Sequence, residues 1–561
     1  MKKIIITTSL FALFAGATMA KEYTQSIKEP IEEYNEFSSA TFGTKAYITN
    51  GSTITFRGRG SAGKSGIENV DVFVEKGSKL IIAGHDDNNC WTANSYYVDE
   101  TSTIEFQQSS AQSKITGNST FYVKGTLSKV NAVTPSSIAM NEGAHVIIDG
   151  GTMTSHSYAI GGVIDVLNGG KFLAIGTDRD TSIGGDFNTV AAGIVPYGTR
   201  TEINVKNNST IKIAGNLNVG LRKTSKQSKD GVLSINNSDA TIGYNNSDPE
   251  KVYNLNIGWN SEDYSKGPEG GEGYVYVEGK STLKVASDID GDIRGDINIA
   301  SIPTDAENPK DPNVGVLTIG ADASVIARNI NIGKKGSMLV TLNGSEKQID
   351  ASINNAGTLS ITAKTGLVAG NYTIANGLTN ADNAVVLAYG GTISGNSFTV
   401  ASAKQVDVSS ATQVEVENNG IVEVVADEQT SVVMAFNSEK ATVNEVKETT
   451  DSFSNEISGD FKAMGAYSFD VSMESTDTVV LSFYVGDSSL SAENFSIFHK
   501  TDGSKWSVAE DVSNVQYDGE YLSFIVSHFS EYGFVAVPEP STYAMILGAL
   551  ALGFAIYRRR K

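Results

Sequence analysis

Apolar and polar residues alternate along most of this chain, in short runs separated by glycine and asparagine. Ser52-Thr-Ile-Thr-Phe56, Ser78-Lys-Leu-Ile-Ile82, Ser102-Thr-Ile-Glu-Phe106, His145-Val-Ile-Ile148, Val163-Ile-Asp-Val166, Thr210-Ile-Lys-Ile213 and Thr282-Leu-Lys-Val285 all follow this pattern. A period of two places one side of a strand in a core and the other in water. Such runs succeed one another from about residue 38 to residue 425. The ~3.6-residue period of an amphipathic helix is nearly absent, so the pattern predicts an all-β chain.

A longer repeat is superimposed on the short one. The pentad Asn216-Leu-Asn-Val-Gly220 returns as Asn254-Leu-Asn-Ile-Gly258, Asp296-Ile-Asn-Ile-Ala300 and Asn329-Ile-Asn-Ile-Gly333, at steps of 38, 42 and 33 residues. Between the pentads lie Gly231-Val-Leu-Ser-Ile235, Gly273-Tyr-Val-Tyr-Val277 and Gly315-Val-Leu-Thr-Ile319, each followed by a small polar turn and another strand. A unit this short cannot bury its apolar face alone, so successive units must stack and share one core. Separate sandwiches of ~100 residues each do not fit that spacing. The expectation is a parallel β-helix, or β-solenoid, over 38–425, with two coils of ~20 residues to each long repeat. Residues 21–37 are charged, lack the repeat and are expected to cap its N-terminal end.

The pattern changes after the repeat. Residues 426–465 are rich in charge and read as an acidic linker. Residues 466–537 then carry longer strands, such as Thr478-Val-Val-Leu-Ser-Phe-Tyr-Val485 and Tyr521-Leu-Ser-Phe-Ile-Val526, with Asp-Gly turns at Asp502-Gly503 and Asp518-Gly519. Asp-Gly between alternating runs signals antiparallel hairpins, so this part reads as a small β-sandwich.

Both ends of the chain carry export signals. Lys2 and Lys3, an apolar stretch from Ile4 to Ala17 and small residues at Thr18 and Ala20 describe a secretory signal peptide, residues 1–20, cut by signal peptidase after Ala20. At the other end stand Pro538-Glu539-Pro540, an uncharged apolar run over 543–557, and Arg558, Arg559, Arg560 and Lys561. Fifteen residues as a helix extend ~22 Å, short of a ~30 Å hydrocarbon core unless flanking residues help. The terminal basic cluster favours a cytoplasmic C-terminus. The triplet, the apolar helix and the basic end, in that order and position, resemble the PEP-CTERM sorting signal of Gram-negative bacteria. The resemblance covers 538–561 alone. It implies transient anchoring in the inner membrane, processing by an exosortase-type protease and delivery to the cell surface or beyond, commonly in organisms that make exopolysaccharide. A permanent C-terminal anchor is the alternative. The repeat region resembles, in style rather than motif, the passenger repeats of autotransporters.

Charge and cysteine content narrow the partners. The formal net charge is −21, and −27 once the basic residues of the two terminal segments are set aside. An acidic surface repels nucleic acid. The single cysteine, Cys90, excludes an intrachain disulfide framework and any cysteine-rich metal site.

Chemistry must then come from carboxylates and histidines. Three groups of aspartates stand out: Asp86 and Asp87; Asp178, Asp180 and Asp186; and Asp288, Asp290, Asp292 and Asp296. Asp288-Ile-Asp-Gly-Asp292 has the spacing of a calcium loop, yet its sixth residue is Ile293 rather than glycine and the closing glutamate is missing, so it is no EF-hand. Calcium through Asp288, Asp290 and Asp292 competes with a plain strand that alternates aspartate with isoleucine. Arg294-Gly-Asp296 matches an integrin-binding tripeptide but also belongs to the repeat. His85, His145, His156, His499 and His528 are scattered without metal spacing, and His528 reads as a strand residue. No nucleophile elbow, phosphate loop or zinc-protease motif occurs. The expected function is that of a surface-sorted structural or adhesive protein meeting extracellular polysaccharide or another surface ligand, with no cofactor. The alternative is a carbohydrate-active β-helix enzyme, a lyase or hydrolase, whose carboxylates would converge from different coils.

Overall fold

The structure is a computed structural model. It describes residues 21–23, 32–34, 37–38, 45–56, 67–68, 71–82, 95–107, 112–115, 119–130, 137–140, 143–177, 181–183, 201–220, 230–258, 272–301, 314–408, 413–426, 429–457, 462–486, 490, 492–501 and 504–536. Both export segments, with Ala20, Pro538, Glu539, Pro540 and Arg558 to Lys561, lie outside these residues. So do Asp86, Asp87, Cys90, Asp178, Asp180 and Asp186. Among the described residues no helix is long and apolar enough to cross a membrane.

The chain is all-β. Its N-terminal part is a parallel β-solenoid with three faces. The first face is a fourteen-stranded parallel sheet running from Lys21–Tyr23 through Gly231–Asn236, Gly273–Glu278 and Gly315–Ile319 to Val385–Tyr389. The second includes Thr210–Ile213, Asp239–Ile242 and Thr282–Val285. The third includes Leu217–Val219, Leu255–Ile257 and Ile297–Ile299. The second and third faces merge in the long strand Ser324–Ile332, which pairs with both ladders across a register shift between Ile326 and Asn329.

The pentads stack directly on one another. Leu217 pairs with Leu255, Leu255 with Ile297 and Ile297 with Ile330. Each long repeat is therefore one coil and not the expected two. The length variation is absorbed by loops on both sides of the third face, such as those between Val285 and Ile297 and between Val219 and Gly231, while the strand core keeps register. The charged opening joins the ladders as their terminal strands: Lys21–Tyr23 pairs with Lys45–Ile48, and Glu32–Tyr34 with Thr53–Phe56.

Four kinds of column hold the coils together. Inward aliphatic side chains pile up in register, as in Ile203, Leu233, Val275, Leu317, Met338 and Leu359, all fully buried. Each such side chain contributes about 1.5–3 kcal/mol of burial. At the corner between the first and second faces, buried serines bond from coil to coil. The Ser209 amide donates to Ser238 Oγ at 3.1 Å and the Ser238 amide to Ser281 Oγ at 3.2 Å.

On the outer side of the third face the pentad asparagines form an amide ladder. Asn256 donates to Asn218 at 2.7 Å, Asn298 to Asn256 at 2.9 Å, Asn331 to Asn298 at 2.9 Å and Asn354 to Asn331 at 2.9 Å. Near the N-terminal end, Tyr47, Phe73, Tyr97 and Tyr122 stack on the outer side of the first face with centroids 4.5–4.8 Å apart. The glycine that closes the pentad is set by contact. A Cβ on Gly258, at φ +67°, would lie 2.3 Å from the Val314 carbonyl oxygen, and one on Gly333 would lie 1.9 Å from that of Ala300. Contacts that short are sterically forbidden.

A three-stranded antiparallel sheet of Gly370–Thr373, Ser397–Val400 and Gly391–Ser394 closes the C-terminal end of the solenoid, with Phe398 buried in the solenoid core. A β-sandwich of two six-stranded sheets follows. One sheet orders Ala403–Asp407, Ile421–Ala426, Gln429–Asn437, Thr478–Tyr484, Tyr521–Val526 and Ser513–Tyr517. The other orders Val414–Glu417, Lys440–Glu448, Lys462–Ser472, Glu531–Ala536, Phe495–Lys500 and Ser507–Val508.

Two expected boundaries need correction here. The strands between residues 403 and 426, assigned above to the solenoid, pair within the sandwich. The expected linker at 426–465 contributes two of the longest sandwich strands and the helix Thr450–Glu456. Lys440, Glu445, Lys447 and Glu448 lie on the solvated side of the strand Lys440–Glu448, whose other side buries Ala441, Val443 and Val446. The charge density marks an outer face, not a linker.

Candidate functional site

The sandwich folds back against the solenoid. Tyr389, Ala435 and Val480 form an apolar contact, Tyr389 Oη lies 2.8 Å from Thr478 Oγ1, and Thr341 donates to Gln516 Oε1 at 2.8 Å. Beside this contact a cleft of about 400 Å³ opens between outward side chains of the first face and the sandwich. Glu202, Asn204, Lys206, Ser234, Tyr276 and Glu278 form the solenoid wall, and Asn514 and Val515 face them. The wall arises because every second residue of a solenoid strand points outward, so polar alternates from successive coils line up at the strand spacing of ~4.8 Å.

A polar network continues next to the cleft. His145 Nε2 lies 2.6 Å from Asp165 Oδ2, and Asn204 donates to Asp165 Oδ1 at 2.9 Å. Burial by itself raises the Asp165 pKa, but the hydrogen bonds from His145 and Asn204 outweigh it and hold the carboxyl below the usual carboxylate range. Such a surface offers donors and acceptors in a regular array.

The sharpest acidic motif has another role. Residues 288–292 form a tight exposed turn between Thr282–Val285 and Ile297–Ile299, not the plain strand weighed above. The Ser287 hydroxyl accepts the amides of Ile289 and Asp290, Asp290 Oδ1 accepts the Asp292 amide at 3.1 Å, and Asp288 pairs with Lys212 at 3.1 Å. The three carboxylates do not converge within ligand reach of one another.

The Arg294-Gly-Asp296 tripeptide is likewise engaged in the fold. Arg328 grips Asp296 with two bonds of 2.8 and 2.6 Å, and Arg294 pairs with Asp350 at 3.0 Å. The first contact joins neighbouring coils, and the second reaches across the coil between.

What sequence reading missed lies in the sandwich. His499, on Phe495–Lys500, Asp511, in the loop after Ser507–Val508, and His528, in the turn before Glu531–Ala536, bring ligand atoms within 4.8 Å of one another. His499 Nδ1 lies 3.4 Å from Asp511 Oδ1, and His528 Nε2 lies 2.8 Å from Asp511 Oδ2. Among the described residues no other group gathers three histidine, cysteine or carboxylate ligands. Separations of 12 and 17 residues carried no motif. The one available signal was that hairpins on either side of an Asp-Gly turn return chain ends to the same edge.

No curated protein and no solved structure matches the chain. Residues 536–561, which follow directly on the last sandwich strand, match the family model of the PEP-CTERM protein-sorting motif, and the chain therefore carries the signal of an exported, surface-sorted exosortase substrate.

Proposed function

We propose that the chain is an extracellular structural protein that displays a β-solenoid on the cell surface and meets surface polysaccharide along its outer faces. The observation that carries this reading is the sorting motif that begins where the last sandwich strand ends, at Ala536. Signal peptidase removes residues 1–20 after Ala20. The apolar run 543–557 then holds the chain in the inner membrane, with Arg558, Arg559, Arg560 and Lys561 as the stop. An exosortase-type enzyme acts at Pro538, Glu539 and Pro540. The sandwich stands between membrane and solenoid as a spacer, and the solenoid extends outward in the manner of a passenger domain. Stacked coils repeat a polar wall many times, so weak contacts of ~10⁻⁴ M to single short glycans add along one rigid face. The polar cleft of about 400 Å³ supports a hydroxyl-rich ligand.

The test is intact-mass analysis and fractionation of cells with and without the sorting enzyme. The expected extracellular form lacks the terminal apolar segment, and replacing Pro538, Glu539 and Pro540 by alanine leaves full-length protein in the inner membrane. Extracellular protein that retains Lys561 refutes the processing. Retention on polysaccharide without released oligosaccharides supports the structural role, whereas product release favours the enzyme.

A further inference from the structure

We propose that His499, Asp511 and His528 form a binding site for a zinc-class divalent metal ion, which staples three segments of the sandwich beside its last strand. Two imidazole nitrogens and a carboxylate oxygen are the donor set preferred by borderline transition metals, while calcium and magnesium take oxygen ligands. The three residues come from separate segments. His499 sits on Phe495–Lys500 in register with Tyr532 on Glu531–Ala536, Asp511 lies in the loop after Ser507–Val508, and His528 precedes the final strand. One ligand atom from each residue lies within 4.8 Å of the other two. A tetrahedral ion with bonds near ~2.1 Å fits such a cluster after a small closure of the side chains.

The surroundings supply the outer support that metal sites use. The Tyr532 hydroxyl reaches Asp511 Oδ2 at 3.3 Å and the His528 carbonyl at 3.1 Å, which fixes the carboxylate against the turn that carries His528. The Tyr532 ring also lies over the His499 imidazole, 5.5 Å between centroids and 20° from parallel. His499 Nε2 is sealed inside the sandwich without a hydrogen-bond partner, so Nδ1 is the nitrogen presented to the cluster. The His528 side chain is 46% exposed, which gives an ion a route from solvent. Three protein ligands leave a fourth position for water or an incoming group.

The experiment uses the full chain, stripped with chelator, and titrates it with zinc chloride or calcium chloride by calorimetry and thermal melting. One zinc ion per chain is expected, with a raised melting temperature of the sandwich and no response to calcium. His528→Ala and Asp511→Asn should each weaken zinc binding by at least ~10-fold, and Tyr532→Phe by ~10-fold with the packing intact. Circular dichroism reports whether each variant is folded. If His528→Ala fails to fold, the conservative Asp511→Asn decides. Cobalt(II) substitution should give visible bands of a low-coordinate nitrogen and oxygen site in the wild type and lose them in the variants. No zinc binding by the wild type, or binding that survives unchanged in the folded variants, overturns the proposal.

Discussion

The solenoid and the sandwich solve the same problem of covering β-sheets in opposite ways. In the solenoid each residue stacks on its equivalent in the next coil, as Asn256 does on Asn298. Polar chemistry therefore runs along the axis, and one type of side chain repeats: serine at an inner corner, asparagine on an outer face. The sandwich has no repeat. Its strands are almost all antiparallel, its core is rich in aromatic rings such as Phe469, Phe483, Phe524 and Phe534, and unlike residues meet at its edges. Columns of like residues make a scaffold, whereas convergence of unlike residues makes a site. The difference explains why Asp288, Asp290 and Asp292 are spent on a turn and a coil-to-coil ion pair, while His499, Asp511 and His528 gather at one point.

The largest expected effect lies in the solenoid core. Ile257→Asp places an unpaired charge where the side chain is fully buried between coils, and the cost should be at least ~4 kcal/mol. Denaturant melts should show the solenoid transition lost or shifted. If the sandwich loses its own near-ultraviolet aromatic signal at the same denaturant concentration, the two regions unfold as one unit and their contrast is one of packing alone.

A second test concerns the pentad glycine. Gly333→Ala drives a methyl group to 1.9 Å from the Ala300 carbonyl oxygen, so two coils must separate. A loss of about 1–3 kcal/mol is expected in urea unfolding. A neutral outcome would mean that the coils slide freely, and that the column rule does not hold at this corner.

A third prediction runs the other way. Lys129 points into the solenoid, 1% exposed, and donates to Ser113 Oγ at 2.6 Å. Burial pulls its pKa down to about 8. A base whose folded pKa lies below its unfolded value of ~10.4 penalises folding fully below pH 8, and the penalty disappears as pH rises toward ~10.4. Lys129→Met should therefore stabilise by about 1–3 kcal/mol at pH 7. The advantage over wild type should shrink between pH 8 and pH 10 in parallel melts. A constant advantage would assign the gain to packing instead of charge.

The smallest of the four is in the amide ladder. Asn298→Ala removes two rungs, to Asn256 and Asn331, and should cost about 1–2 kcal/mol. Asn298 itself and Asn331 are partly accessible to water, which softens the loss, whereas Asn256 is buried. A cost equal to that of Ile257→Asp would show that the outer ladder, and not the aliphatic column, specifies the register.

The sequence by itself determined the fold class, the need for stacking and the address. Period-two alternation requires strands, and pentads that recur at 33 to 42 residues require neighbours that share a core. The terminal signals are linear motifs read by other proteins, so no fold is needed to see them. Three matters were left to tertiary structure. One was the coil count, because loops of any length return the chain to the same register and spacing alone cannot tell one coil from two. Another was the boundary at residue 403 and the role of 426–465, because a charged outer face and a charged linker have the same composition. Above all, only the folded sandwich decided that His499, Asp511 and His528 are neighbours. Antiparallel pairing brings together residues that are distant along the chain, and nothing in a linear pattern marks where three turns will end at one edge.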